Sequence, residues 1–438
     1  MSLLDLAGRV VERAKAMGAE QAVVGLTRGT HTQIIRRGGK VESATEATSR
    51  GLSLSVLVDD RWTSNSTSDL REDALESFLR RSVEAAGVLE PDADRRLPDP
   101  SECGRGATEA ALDLDDPAWH SRTAEQRAHD VEALEEIIRA NPGGDVISCS
   151  AWVSDGRSEG VRVTSDGFAD MAAGGWFAAG GDMTLRDGDR RPEASAGFTT
   201  RYLADLPGAD VIAGDLAERA RERIGAGPME SGTFTMVVNN RVVGRVLGLI
   251  LGPITGGALH EGRSCLHDKL HQRIASPLLT IVDDPLRPRG LASHAWDGDG
   301  RRPHAFDVVR DGVLQTFYLN TYYARKLGRP ATTGGRSNWV LPVGERPISA
   351  ICADIPKAIL VTGFLGGNSN PVTGDFSFGI SGMLLENGRP TRPLAEMNMA
   401  GNTLELFGQL TALGDDPWPW SSTLAPSMVF DGVQFSGR

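Results

Sequence analysis

The sequence predicts an α+β protein of two domains, with antiparallel sheets and packed helices, its C-terminal domain rich in strands. Three observations carry this reading. Short runs that alternate apolar and polar residues recur along the chain, separated by turn-forming pairs. Several stretches have a 3.6-residue apolar period, yet they do not alternate one for one with strands, as crossover helices of a parallel sheet would. At 438 residues the chain is long enough for two or three domains, each with its own core.

Taken in order, residues 3–17 place Leu, Val and Ala at helical spacing, with Gly18 as a stop. "QAVVGLTRG", "HTQIIRRGGKVESATEATSRG" and "LSLSVLVDDRWTSNSTSD" then read as an antiparallel meander turning at Gly-Gly and Asp-Asp. "SDLREDALESFLRRSVEAAGVL" is a helix with Ser68 or Asp69 as its N-cap. Residues 91–125, rich in Pro, Asp and Gly, read as a surface excursion. "TAEQRAHDVEALEEIIRANPGGD" is a helix stopped by Asn-Pro-Gly-Gly, and "VISCSAWVSDGRSEGVRVTSDGF" reads as a hairpin with an Asp-Gly turn.

"DLAERARERIGAGPMESGTFTMVVNN" supplies a helix, a Gly-Pro break and a strand, which divides the chain into an N-terminal α+β domain, 1–225, and a β-rich domain, 226–438. "VVGRVLGLILGPITGGAL" is interrupted by Arg245 and Pro253, well short of the ~20 apolar residues a membrane span needs, and reads as a core helix and turn. The strand-like "LLTIVDDP", "FDVVRDGVLQTFYL", "AILVTGFLGG" and "FSFGISGMLLENGRP" follow, the last with a type I′ turn at Asn387-Gly388.

A formal charge of −12 and a pI near 5.3 exclude a surface built to neutralise phosphates, so no nucleic-acid partner is expected. The N-terminal residues lack a basic region followed by a long apolar run, so a cytoplasmic location and no membrane partner are expected. Cys103, Cys149, Cys265 and Cys352 are far apart, as in a protein with reduced thiols. There is no Walker loop, no Rossmann fingerprint between strand and helix, and no G-x-S-x-G elbow.

"GALHEGRSCLHDKLHQRIASP" concentrates His260, His267 and His271. His260-Glu261 imitates the start of H-E-x-x-H, but the second ligand position is Ser264. His267 and His271 stand at i and i+4, with Asp268 placed as a general base would be, and Cys265, His294 or His304 are candidates for a third zinc ligand. The competing reading is an amphipathic helix with Leu266, Leu270 and Ile274 toward the core and both histidines on its flanks. The residues alone leave both open.

"SCLHDKLHQRIASPLLTIVDDP", "RGLASHAWDGDG", "DVVRDGVLQTFYLNTYYARKLG", "GGNSNPVTGDFSFGISGMLLENGRPTRPLAEMNMAGN" and "LTALGDD" resemble, in order and spacing, the TldD/PmbA family. That family carries the label modulator of DNA gyrase and contains the TldD/TldE metalloprotease. The resemblance implies two branches that form a mixed dimer, in which only the TldD-type chain holds zinc, on an H-E-x-x-x-H helix and a Cys near the C-terminus. The matching stretch here, Val246 to Gly257, has no His or Glu, and no Cys follows Cys352. "VTGDFSFG" and "LAEMNMAGN" resemble the PmbA/TldE branch.

The resemblance therefore implies a subunit without catalytic residues or a cofactor of its own, with zinc in a TldD-like partner and unfolded peptides as substrate. Dimerisation would be through the C-terminal domain, a homodimer being the other assembly. His271 falls where relatives usually resemble "KLGQ". Substrate would lie along "AILVTGFLGGNSNPVTGDFSFGISG", where Gly366 and Gly367 admit a second backbone and Asn368 and Asp375 pair with peptide groups. The alternative is a tight hairpin in which Asp375 or Asn370 satisfies its own turn. Asp283 and Asp284 of "VDDP" read as turn and cap residues, and Trp418 and Trp420 as anchors for a partner or for the core. Two other functions remain: a self-sufficient zinc hydrolase using His267, Asp268 and His271, and a non-enzymatic binding protein of the gyrase-modulator kind.

Overall fold

The computed structural model describes residues 2–437. Helix α1 (Leu3–Ala16) opens with a capping box between Ser2 and Asp5 and buries Ala7, Val10, Val11 and Ala14. The meander follows as three strands, β1 (Gln21–Arg37), β2 (Lys40–Val58) and β3 (Arg61–Thr67). Its turns fall at the expected pairs: Gly38 and Gly39 have φ of 61° and 78°, and Asp59 and Asp60 of 49° and 59°, the left-handed pairs of a type I′ turn.

Helix α2 (Glu72–Ala86) begins later than expected, with Arg71 at the N-cap. Asp69 instead accepts from the Arg71 backbone and guanidinium, while Thr67 accepts from the Asp69 N–H, so these residues are used in leaving the strand. The 91–125 segment lies at the surface with a 3-10 turn at Pro100–Glu102 and two short helices, α3 (Glu109–Leu112) and α4 (Ala118–Ser121). Helix α5 (Ala124–Ala140) starts on a second capping box, Thr123 with Gln126.

The expected hairpin over 146–168 is instead one strand, β4 (Val146–Thr164), whose turn into β5 (Ala169–Leu185) comes at Asp166-Gly167, Gly167 having φ 102°. The earlier Asp-Gly pair stays extended. Asp155, 1% exposed, is gripped by Arg127 of α5 through bonds of 2.6 and 2.8 Å. Gly156 lies under Trp176, where a Cβ would come 2.8 Å from the indole nitrogen.

With β6 (Glu193–Thr200) the first sheet is complete, ordered β3-β2-β1-β4-β5-β6, and α6 (Ala209–Arg221) closes this half. Val24 pairs with Val163 and Ile34 with Val153. The core under α1 and α2 and the core under α5 and α6 therefore share one face of the sheet. The other face presents Gly25, Thr27, Gly29 and His31 along β1.

The second half runs through β7 (Gly232–Val238), α7 (Val243–Leu251), α8 (Gly256–His260), β8 (Ile281–Asp283), β9 (Phe306–Arg310), β10 (Val313–Leu314), α9 (Thr321–Leu327), β11 (Trp339–Val340) and α10 (Ile348–Ala353). It continues with β12 (Lys357–Phe364), β13 (Asn368–Ser369), β14 (Asp375–Glu386), β15 (Arg389–Asn402), α11 (Thr403–Gly408), β16 (Leu410–Leu413), β17 (Thr423–Leu424) and β18 (Met428–Ser436). Strands β12, β7, β18, β15 and β14 pair in turn, and β14 pairs back to β12, closing a small barrel. Side chains such as Met236, Ile359, Phe378, Met399 and Phe430 fill one core with α7. The Asn387-Gly388 turn has φ of 50° and 73°, as the sequence predicts.

The 91–125 segment ties the halves together. Arg325 of α9 donates to the carbonyls of Asp94, Arg96 and Leu97 at 3.2, 2.8 and 2.8 Å, and Lys326 pairs with Asp92 and Asp94 at 2.8 and 3.1 Å. Trp418 and Trp420 pack on Phe198 of β6, their centroids 5.5 and 4.9 Å from its ring, so both anchor the tail to the first half of their own chain. Among the described residues no helix is long and apolar enough to cross a membrane.

Candidate functional site

The histidine-rich stretch is not helical beyond α8. Residues 261–278 form turns held by the β9–β10 hairpin: the His271 N–H donates to Leu314 O at 2.7 Å and the Ile274 N–H to Gly312 O at 2.8 Å. His271 has φ 61°, which no helix contains. Both helix-based readings are thereby corrected, although the apolar half of one survives. Leu266 and Ile274 are buried and Leu270 packs beside them.

His267, Asp268 and His271 are exposed and line one side of an open groove of about 470 Å³, with Phe317, Leu319 and Pro330 opposite. His260 lies apart, against the Tyr323 ring at 6.1 Å. The donor set does not fit a catalytic zinc: among the described residues no three His, Cys, Asp or Glu side chains are grouped to hold a metal.

The residues expected along a peptide form an arm, 365–374, projecting from the barrel between β12 and β14. Strand β13 pairs only with β14, Asn368 opposite Ser377, and so ends its sheet. Gly366, Gly367, Asn368 and Asp375 are all exposed. Gly367 is required by the arm itself: its φ is 112°, and a Cβ would meet Ser377 O at 2.3 Å. Asp375 accepts from Thr373 Oγ1 at 2.7 Å and Asn402 Nδ2 at 3.0 Å, bonds that hold its carboxyl below the usual range, the Asn402 bond having the larger effect. Asn370 accepts from the Val372 N–H at 3.0 Å, an Asx turn. The structure brings the four residues together, with Asp375 engaged in its own hairpin. Leu365 and Val372 flank the arm at 55% and 49% exposure.

Helix α7 runs beside the arm. Arg245 stacks over Phe378, 4.6 Å from the ring centroid, and reaches the Gly367 carbonyl. Gly244, Gly248 and Gly252 leave the outer side of this helix and its end bare, while Val243, Val246, Leu247 and Ile250 point into the core. The tail comes back against the same helix, placing Thr423 Oγ1 3.7 Å from where a Gly244 Cβ would stand.

Sequence reasoning missed a buried polar centre behind this region. Asp283, 1% exposed, accepts from the Ser337 N–H and hydroxyl and from Tyr318 OH, and Trp339 Nε1 donates to the same phenol at 2.7 Å. Burial and the Asp283 charge push the Tyr318 phenol up. Asp284 is the turn residue expected, accepting from the Leu286 N–H, whereas Asp283 is neither turn nor cap. Residues 283 and 337 are distant in sequence, so only the β8–β11 pairing brings them together. The adjoining cavity is about 10 Å³, room for a water at most. Also missed was the second face of the first sheet, where His31 stacks on Trp176 at 5.6 Å and meets Ser154 Oγ at 2.9 Å. Its only sequence signal is the polar half of the alternation in "GLTRGTHTQ".

Residues 231–437 match the family model PmbA/TldA metallopeptidase C-terminal domain, and residues 22–86 match PmbA/TldA metallopeptidase domain 1. Metalloprotease PmbA of Escherichia coli O157:H7 is 26% identical over 97% of this chain and 93% of its own length. A protein of Bacteroides thetaiotaomicron described as a modulator of DNA gyrase has a crystal structure 34% identical to this chain, with a TM-score of 0.94 over 99% of this chain and 98% of that one. TldE from Thermococcus kodakarensis has the same fold at 16% identity, with a TM-score of 0.86 over 99% of this chain and 100% of that one. The chain belongs to the PmbA/TldD family.

Proposed function

We propose that this chain is a zinc-free, TldE/PmbA-like subunit that joins a TldD-like zinc subunit in cutting unfolded peptides in the cytoplasm, and that it shapes the substrate channel. One observation carries this reading. Helix α7 and the C-terminal tail, the two elements from which the resemblance draws zinc ligands, do meet, but at Gly244 and Thr423, with neither imidazole nor thiolate on either. A protein retaining the architecture without the ligands is suited to a non-catalytic place in a shared assembly. The end strand β13 adds support, since an extended peptide laid along it would find unpaired backbone and the flanking apolar side chains Leu365 and Val372.

The test is reconstitution. The chain is purified alone and mixed with the TldD-like subunit of its source organism, and peptide hydrolysis and zinc content are measured. The expected result is no cleavage by the chain alone and cleavage by a mixed dimer. Stoichiometric zinc and hydrolysis in the lone chain, both lost in a His267→Ala/His271→Ala variant, would replace this reading with the self-sufficient hydrolase.

A further inference from the structure

Strand β2 outruns β3. The Asp59-Asp60 turn closes on the pair Val58 and Arg61, and the register runs unbroken to Leu52 opposite Thr67, where β3 ends. The closing pair of a two-residue hairpin is hydrogen-bonded, so Val58 and every second residue before it, Val56, Leu54 and Leu52, direct their N–H and C=O groups at β3. The next members of that series, Arg50, Thr48, Glu46 and Ala44, have no strand opposite them on that side. Residues 44–51 are thus an unpaired edge of roughly 27 Å, at about 3.4 Å per residue. Edge strands are ordinarily blunted by Pro, Lys, a bulge or a covering element. This stretch has no Pro or Lys, its register with β1 is unbroken, and residues 44–50 are exposed.

The side chains of this series carry charge with nothing to meet it. Leu52, Leu54 and Val56 point into the core under α1 and α2, so Arg50, Thr48 and Glu46 continue along the same face beyond that core. Arg50 stands directly opposite Arg28 of β1. The alternate residues of β2 bond to β1, which makes this a non-hydrogen-bonded pair, the kind whose side chains lie closest, and like charges there are destabilising. Glu159, opposite Arg28 on β4, is taken by Arg157 at 2.7 Å. Arg28, Arg50 and Glu46 form no ion pair among the described residues.

We propose that residues 44–51 of β2 bind a free, extended peptide as an added antiparallel strand, with an acidic residue of the peptide opposite Arg50 and a basic residue, four positions on, opposite Glu46. The antiparallel sense is that of every pairing in this sheet, and it sets the order of the two charges. The acid also relieves the repulsion between Arg28 and Arg50. The end of β3 bounds the slot, which suits a short peptide: a second copy of β2 set with Glu46 opposite Arg50 would drive its hairpin into β3. The edge belongs to the sheet of the first half, whereas β13 belongs to the barrel, and it needs no TldD-like partner.

The probe is the dye-labelled peptide Ser-Glu-Val-Thr-Val-Lys-Ser, titrated into the whole chain alone and followed by fluorescence anisotropy. Saturable binding is expected, weakened about tenfold or more by an Arg50→Glu/Glu46→Arg variant, and restored in that variant by the charge-exchanged peptide Ser-Lys-Val-Thr-Val-Glu-Ser. A second measurement leaves the protein untouched. N-methylation of the peptide's Thr, whose N–H points at β2, is expected to abolish binding, whereas N-methylation of either Val, whose N–H points away, leaves it. No saturable binding, or binding indifferent to the charge exchange or to methylation at Thr, overturns the proposal.

Discussion

His271 holds a backbone φ of 61°, a conformation that favours glycine. A left-handed conformation costs an ordinary side chain roughly 1–2 kcal/mol, part of which glycine gives back through its freer unfolded chain. His271→Gly is therefore expected to raise stability by about 0.5–1 kcal/mol, seen as a higher denaturant midpoint with the reconstituted activity unchanged. A lower midpoint would mean that the ring contributes more to the groove than its backbone costs. Asp297 supplies a test in pH. Burial raises its carboxyl above the ordinary 3.8, so the folded state holds the proton more tightly than the unfolded one. Stability from this group is complete below the unfolded value and declines as pH rises through the interval up to the raised one. Asp297→Asn lacks that decline. Its melting temperature relative to wild type should climb as pH rises above 3.8, and a flat difference would count against the assignment.

Elements were legible where the backbone signal is local. Gly-Gly, Asp-Asp and Asn-Gly each mark a left-handed pair, and the helical periods of α1, α2, α5 and α7 needed no tertiary help. The failures have a common physical cause. Asp155-Gly156 stays extended because Arg127 and Trp176 claim it, and residues 261–278 give up a helix because their backbone groups bond to the β9–β10 hairpin. Neither partner is visible within the local window. In the candidate site, the lack of any His, Cys or Glu on α7 is plain from its letters, while the Asp283–Ser337–Tyr318 centre depends on pairing of distant strands. Two predictions belong here. In β5, a Cβ at Gly180 would stand 2.2 Å from Ala196 O and 2.5 Å from the Trp152 ring. Gly180→Ala should cost about 2–3 kcal/mol, measured by denaturant unfolding. On the arm, Leu365→Asp with Val372→Asp is expected to lower kcat/KM of the mixed dimer about tenfold, or roughly 1.4 kcal/mol, with the melting temperature unchanged. Undiminished kcat/KM would remove the arm from the substrate path.

For the whole molecule, the first sheet and the barrel region have separate cores, and the 91–125 segment with the Trp418–Trp420 tail joins them. Composition showed the segment to be irregular, but its docking rests on Arg325 and Lys326, far along the chain. Arg325→Ala removes three hydrogen bonds to its carbonyls and should cost about 1–3 kcal/mol, with faster hydrogen exchange at residues 94–97 as the readout. Equal exchange in the variant would show that the segment holds by packing alone. Helix α7 has a further consequence. Its Val243, Val246 and Leu247 are fully buried in the core of the barrel. The fold is thus held by hydrocarbon, unlike small domains that collapse once their ion is chelated. Side chains on the exposed side of this helix can therefore change while the chain still folds, so the shape of this region does not depend on the chemistry displayed on it.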